Sequence, residues 1–119
     1  MAALTATVTA EELRRKLDAG EGFVLVDALA PMIYAHSHLP GAINLPASAV
    51  DPTRVARRIP DPDTEIVVYC ANADCDDSLV TAQKLTELGY TNVLHYAGGK
   101  DEWRELGYPL ERAGKPYTP

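Results

Sequence analysis

Two cysteines, Cys70 and Cys75, are the only thiols in this 119-residue chain, and they stand five positions apart. Cys70 ends the apolar run Glu65-Ile66-Val67-Val68-Tyr69 and opens a polar stretch ahead of a helical pattern from Ser78 to Leu88. A thiol between a strand and a helix N-terminus lies near N–H groups that lack intrahelical partners and near the positive end of the macrodipole. Both favour the thiolate. The chemistry this spacing suggests is that of a sulfur nucleophile, although free cysteine is also commonly an inert buried residue. The loop that follows, Ala71, Asn72, Ala73, Asp74, Cys75, Asp76, Asp77 and Ser78, offers backbone N–H groups that can bind an anion collectively. Its aspartates act the other way. Asp74, Asp76 and Asp77 raise the Cys70 pKa by like-charge repulsion unless Asp76 or Asp77 turns outward as the helix N-cap, so the sign of the net shift is open. Cys75 has two readings. It is a resolving cysteine that attacks an oxidised Cys70, such as a sulfenic acid, and closes a disulfide, or it points away from Cys70; loop geometry decides between them.

Other polar side chains read as support. Asp27, at a strand end, suits a structural acceptor for loop amides better than a general acid. His38 suits a hydrogen-bonded group that holds the turn before Pro40-Gly41 better than a proton donor. His36 and His95 have no partner by spacing, and Trp103 reads as core. No C-x2-C or H-x3-H spacing occurs, so neither a metal centre nor any other cofactor is expected.

The elements that must position these groups alternate. Thr9-Ala10-Glu11-Glu12 has capping-box spacing and predicts a first helix from Ala10 to Ala19, and Phe23-Val24-Leu25-Val26 ending at Asp27 predicts a central strand. An irregular stretch around Pro31 and His36 leads to a turn and short strand within His38 to Pro46. Asp51-Pro52 then opens a short helix that ends before Pro60. A strand from Glu65 to Cys70 follows, then a helix with Leu79, Ala82, Leu85 and Leu88 on one face, and a strand Val93 to Tyr96. Gly98-Gly99 turns into a last helix, in which Trp103 and Leu106 face the core together before Gly107. This alternation implies one α/β domain, residues 1–119, with a mainly parallel sheet and an irregular tail over about 108–119.

Composition narrows the partners. Seventeen acidic against eleven basic residues leave a formal charge of −6, which disfavours nucleic acid and anionic membranes. The N-terminal residues lack a basic segment followed by an apolar core, and no window is apolar enough to span a bilayer, so a cytoplasmic location is expected.

Four stretches, taken in order, carry a family resemblance: Val24-Leu25-Val26-Asp27, His38-Leu39-Pro40-Gly41-Ala42-Ile43-Asn44, Val67-Val68-Tyr69-Cys70, and Gly98-Gly99-x-x-x-Trp103. Over nearly its whole length the chain resembles a rhodanese homology domain, the single-domain sulfurtransferase family. The resemblance implies a rhodanese-like α/β fold with a mainly parallel central sheet of about five strands and helices on both faces. It also implies that Cys70 accepts sulfane sulfur as a persulfide and passes it to a thiol or other nucleophile, with loop amides from Ala71 to Ser78 as the anion hole. The partners would then be a small sulfur donor and a thiol acceptor, or a sulfur-relay protein.

Three departures from the family pattern bear on the chemistry. Asp27 is followed by Ala28 and Leu29 where an arginine is frequent, and Ser37 stands where a glycine often precedes the signature histidine. The loop is two residues longer than usual, with its hydroxyl residue Ser78 eight positions after Cys70. It holds no arginine or lysine, and Cys75 falls near the arginine-like position of other members; the first basic residue after Cys70 is Lys84. Phosphoryl transfer, the activity of related phosphatases, needs a guanidinium on the phosphate oxygens, so the loop weighs against it. An alternative to the enzyme is a non-catalytic sulfur carrier or redox-sensing module built on a Cys70/Cys75 dithiol–disulfide pair. A fold-only interaction domain is weaker.

Overall fold

The computed structural model describes residues 6–112 and 115–116. In chain order its elements are β1 (Ala6–Thr7), α1 (Ala10–Asp18), β2 (Phe23–Asp27), α2 (Pro31–His36), β3 (Ile43–Asn44), a 3-10 turn at Ala47–Ala49, α3 (Pro52–Arg58), β4 (Glu65–Tyr69), α4 (Asp77–Glu87), β5 (Val93–Tyr96), α5 (Gly99–Glu105), β6 (Glu111–Arg112) and β7 (Lys115–Pro116). The first five strands form one parallel sheet in the order β1-β5-β4-β2-β3.

The central strands are apolar at both parities because each face is covered. Alternation sends Val26, Ile66, Val68 and Cys70 to one face, against Val55 and Ile59 from the α3 region and Ala82 and Leu85 of α4. Leu25, Val67 and Tyr69 go to the other, against Ala10 and Leu13 of α1 and Trp103 of α5. The expected caps are present. Thr9 and Glu12 exchange both bonds of a capping box, and Asp51 accepts from the Thr53 and Arg54 amides with Pro52 at the first helical position.

Several expectations fail for physical reasons. The stretch around Pro31 and His36 is a helix, not irregular. Pro31 suits its first position, but Met32 and Ile33 are exposed, so no apolar period advertises it. On α4 the buried stripe is Ser78, Thr81, Ala82 and Leu85, while Leu79 (46% exposed) and Leu88 (38%) face solvent. The polar members of that stripe are satisfied: Ser78 bonds His95, and the Thr81 hydroxyl donates to the Leu45 carbonyl at 3.3 Å. Leu106 is likewise exposed although Trp103 is buried. The tail is not irregular where it is described. Leu110 is buried, Glu111 and His38 exchange backbone bonds at 2.7 and 2.9 Å, and β6 pairs antiparallel with β7. Such pairing uses backbone groups and needs no apolar period. The remaining tail positions, 113–114 and 117–119, lie outside the described residues, as do residues 1–5.

Candidate active site at the carboxyl end of β4

From β2 the chain moves outward to β3, and from β4 it moves the opposite way to β5. The crevice between the carboxyl ends of β2 and β4 is therefore the topological switch point, where ligands of parallel sheets bind. Asp27 ends β2 directly opposite Tyr69, and Cys70 follows Tyr69.

The backbone of Cys70 is fixed by α5. The Lys100 amide donates to the Cys70 carbonyl at 2.9 Å and the Asp101 amide to the Ala71 carbonyl at 2.8 Å, so first-turn donors of α5 are satisfied by the loop. Gly99 makes this approach possible. Its φ is +71°, and a Cβ there would lie 2.7 Å from both the Cys70 oxygen and the Ala71 carbonyl carbon. The glycine pair was legible as a turn; its contact with the cysteine was not.

Cys70 itself is 1% exposed. Its sulfur is joined to that of Cys75 as a disulfide, across a Cα–Cα separation of 6.3 Å, so Cys75 does not point away. The loop between them is a closed turn. The Cys75 amide donates to the Asn72 carbonyl at 3.2 Å, the Asp74 amide to the Asn72 side-chain oxygen at 3.0 Å, and Asn72 Nδ2 to Asp101 Oδ2 at 3.2 Å. The Asp74 and Cys75 amides are thus engaged within the loop, which removes them from the expected anion hole. Asp77, Ser78 and the following Leu79 open α4, where first-turn amides have no intrahelical acceptor. Asp76 is the N-cap residue but its side chain makes no capping bond, nor does Asp77 supply one. Lys84, the first cation after Cys70, donates to the Ala47 carbonyl at 2.7 Å.

Ser78 marks where α4 is pinned to the sheet. Its hydroxyl is 2.8 Å from His95 Nε2, and burial holds the His95 imidazole below its ordinary pKa. Spacing gave His95 no partner. Strand alternation does locate it, because His95 is paired with Val68 and Val68 shares a face with Cys70.

On the opposite side of the crevice lies a buried polar chain. The Leu29 amide donates to Asp27 Oδ1 at 2.8 Å and the Tyr69 hydroxyl to Asp27 Oδ2 at 2.7 Å. That hydroxyl in turn accepts from the Leu39 amide at 2.9 Å. Burial pushes the Asp27 carboxyl up, opposed by the Tyr69 and Leu29 bonds and the Lys100 charge. Burial and the Asp27 charge push Tyr69 well above its ordinary value. Lys100 is buried, donates to the Ser37 carbonyl at 3.0 Å, and is held below the usual lysine range by desolvation. Neither Tyr69 nor Lys100 carried a signal that separated it from core or surface. The His38 ring bonds the Tyr34 carbonyl through Nδ1 at 2.8 Å and stacks on the Tyr34 ring at 4.0 Å, an engagement that braces the turn before Pro40. His36 is exposed, and among the described residues no group of metal-ligating side chains is assembled.

Known proteins share this architecture. Thiosulfate sulfurtransferase PspE of Escherichia coli (strain K12) is 38% identical over 76 residues, covering 64% of this chain and 70% of that protein. "Probable adenylyltransferase/sulfurtransferase MoeZ" of Mycobacterium tuberculosis is 29% identical over 108 residues. That match covers 91% of this chain but 27% of the relative, so the chain spans about a quarter of that protein's length. The solved structure of the human single-domain sulfurtransferase TSTD1 superposes with a TM-score of 0.70 at 29% identity, covering 86% of this chain and 97% of that one. Residues 9–106 match the family model described as "Rhodanese-like domain", and the chain belongs to that family.

Proposed function

We propose that this protein is a sulfurtransferase in which Cys70 accepts sulfane sulfur as a persulfide and passes it to a thiol acceptor. The observation that carries the reading is the position of Cys70 at the switch point of the sheet, with its backbone held by α5 and the unpaired first-turn amides of α4 close in sequence. The attack is balanced without a cofactor. The Cys70 thiolate displaces sulfite from thiosulfate, or a thiolate from an organic persulfide, and keeps one sulfur atom on Sγ. The names of PspE and TSTD1 support the activity, and the composite name of MoeZ pairs a sulfurtransferase with an adenylyltransferase in one protein, which supports a donor or acceptor that is itself a protein.

The loop that follows this cysteine carries three exposed aspartates, Asp74, Asp76 and Asp77, and no cation, so a dianionic donor such as thiosulfate is disfavoured against an uncharged or protein-bound one. A reducing compartment such as the cytoplasm suits the reading, since Cys70 must be a free thiol to take up sulfur. No helix among the described residues is long and apolar enough to cross a membrane.

The test is the intact mass of the reduced, full chain after exposure to a sulfur donor. The parent and the Cys70→Ser variant are compared in the presence of cyanide, which collects transferred sulfur as thiocyanate. Thiocyanate from the parent and none from Cys70→Ser is the expected result. Equal output from both, or none from either with thiosulfate and with an organic persulfide, refutes the proposal.

A further inference from the structure

The loop holds a second nucleophile in contact with the first, and its position specifies which bond it attacks. We infer that Cys75 is a catalytic residue: it resolves the Cys70 persulfide by attacking Cys70 Sγ, releasing the sulfane sulfur as hydrosulfide and leaving the Cys70–Cys75 disulfide. The inference rests on the sulfurtransferase reading and names the acceptor that reading leaves open.

The sulfur of Cys75 is bonded to Cys70 Sγ itself, the inner atom of a persulfide, rather than held one bond farther out where the transferable sulfur would be. A thiolate at that point breaks the bond between Cys70 Sγ and the outer sulfur. Attack on the outer sulfur would instead move it to Cys75. The loop sets up this contact by its own hydrogen bonds, from the Cys75 amide to the Asn72 carbonyl and from Asn72 to Asp101 at the start of α5. Because α5 also bonds the Cys70 and Ala71 carbonyls, both cysteines are anchored to one helix end. Such a tethered thiol attacks at an effective concentration that a free thiol does not reach. The Cys75 carbonyl oxygen lies 3.2 Å from Cys70 Sγ, within reach of its proton when the pair is reduced. The loop charges act in the same direction. An external anionic acceptor is repelled by the charge of Asp74, Asp76 and Asp77 in the same loop, and an internal one needs no such approach.

The step balances. The Cys70 persulfide anion and the Cys75 thiol give the Cys70–Cys75 disulfide and hydrosulfide; the outer sulfur is reduced to sulfide and the two cysteine sulfurs are oxidised. The Cys75 proton leaves with the sulfide. An external dithiol of a small molecule or protein then reduces the disulfide and becomes a disulfide itself, and the cycle restarts.

The experiment uses the full chain, reduced, freed of reductant without oxygen, and given excess thiosulfate with no acceptor. Sulfite, hydrosulfide and intact mass are followed for the parent, Cys75→Ser and Cys75→Ala. The parent is expected to release one hydrosulfide for each sulfite and to finish two hydrogens lighter, with no added sulfur. Both variants are expected to release sulfite but no hydrosulfide, and to finish one sulfur atom heavier. A parent that keeps the added sulfur on Cys70, or carries it on Cys75, overturns the resolving role while leaving the sulfurtransferase reading intact. Variants that gain no sulfur, with an equally inert parent, from thiosulfate and again from an organic persulfide in its place, overturn both.

Discussion

Replacing Gly99 by alanine tests whether the approach of α5 to the cysteine is what holds the site. The substitution forces a Cβ onto a residue at φ +71°, which costs about 1–2 kcal/mol for an L side chain. The new atom would lie 2.7 Å from the Cys70 oxygen and the Ala71 carbonyl carbon, both backbone, so neither can rotate aside. Relief requires α5 to retreat, and retreat breaks the Lys100–Cys70 and Asp101–Ala71 bonds, worth about 1 kcal/mol each. The expected loss is about 3–4 kcal/mol, a drop of about 2 M in the urea midpoint for a slope in the usual range. Gly107→Ala is the matched control, because Gly107 has φ +76° but nothing within 4 Å of its would-be Cβ. It pays the strain alone, about 1–2 kcal/mol. Equal midpoint shifts for the two variants would refute the reasoning. The folded fraction of Gly99→Ala is also expected to take up sulfur more slowly than Gly107→Ala, because the Cys70 backbone has lost its anchor.

Tyr69→Phe removes the hydroxyl that joins Asp27 to the Leu39 amide, leaving a buried carboxylate oxygen and a buried N–H without their partner. A loss of about 2–3 kcal/mol in chemical denaturation is expected, and a change below about 0.5 kcal/mol would contradict the network. His95, held below its ordinary pKa by burial, resists protonation when folded but takes a proton near pH 6.5 when unfolded. The unfolded state then binds more protons, so this residue lowers stability as pH falls below about 6.5 and has no such effect above it. Asp27, shifted upward, acts with the opposite sign at more acidic pH, so the diagnostic is the difference between parent and His95→Gln unfolding profiles. Parallel profiles from about pH 7 to pH 5 would exclude a depressed His95. Leu79→Gln and Leu106→Gln, at exposed positions, are each expected to change stability by less than about 0.5 kcal/mol; losses near those of core leucines would restore the apolar face that periodicity suggested.

The parts of this fold that were legible in the sequence are those where one local signal is also the physical cause. Thr9 and Glu12 start α1 by the same reciprocal bonds that their spacing announces, and Asp51-Pro52 does so for α3. Phe23 to Val26 and Ile66 to Tyr69 are apolar at every position because both faces are covered. Leu79 and Leu88 misled because counting apolar residues ignores hydroxyls. Ser78 and Thr81 are buried on α4 at the cost of two specific partners, His95 and the Leu45 carbonyl, that are distant in sequence. The site divides the same way. Cys70 stood out from its strand-to-helix position alone, whereas Tyr69, Lys100 and His95 act through bonds to residues on other strands and loops.

That division bears on how this fold tolerates an atypical loop. The arc from Ala71 to Asp76 is fastened at both ends by bonds that do not involve its own side-chain charges: at one end the α5 amides on the Cys70 and Ala71 carbonyls, at the other the Ser78–His95 contact that seats α4. Between these points the backbone turns on Asn72. Its length and composition can therefore vary without disturbing the sheet, and with them the chemistry the arc performs. Here it holds aspartates and a second cysteine and carries no cation. The anchoring that makes such change tolerable also makes it effective, because a nucleophile added to an arc with fixed ends has a narrow range of positions. Cys75 lies within that range, in contact with Cys70. The loop that poorly suits an anionic second substrate thus already contains a thiol at the atom where one would have to arrive.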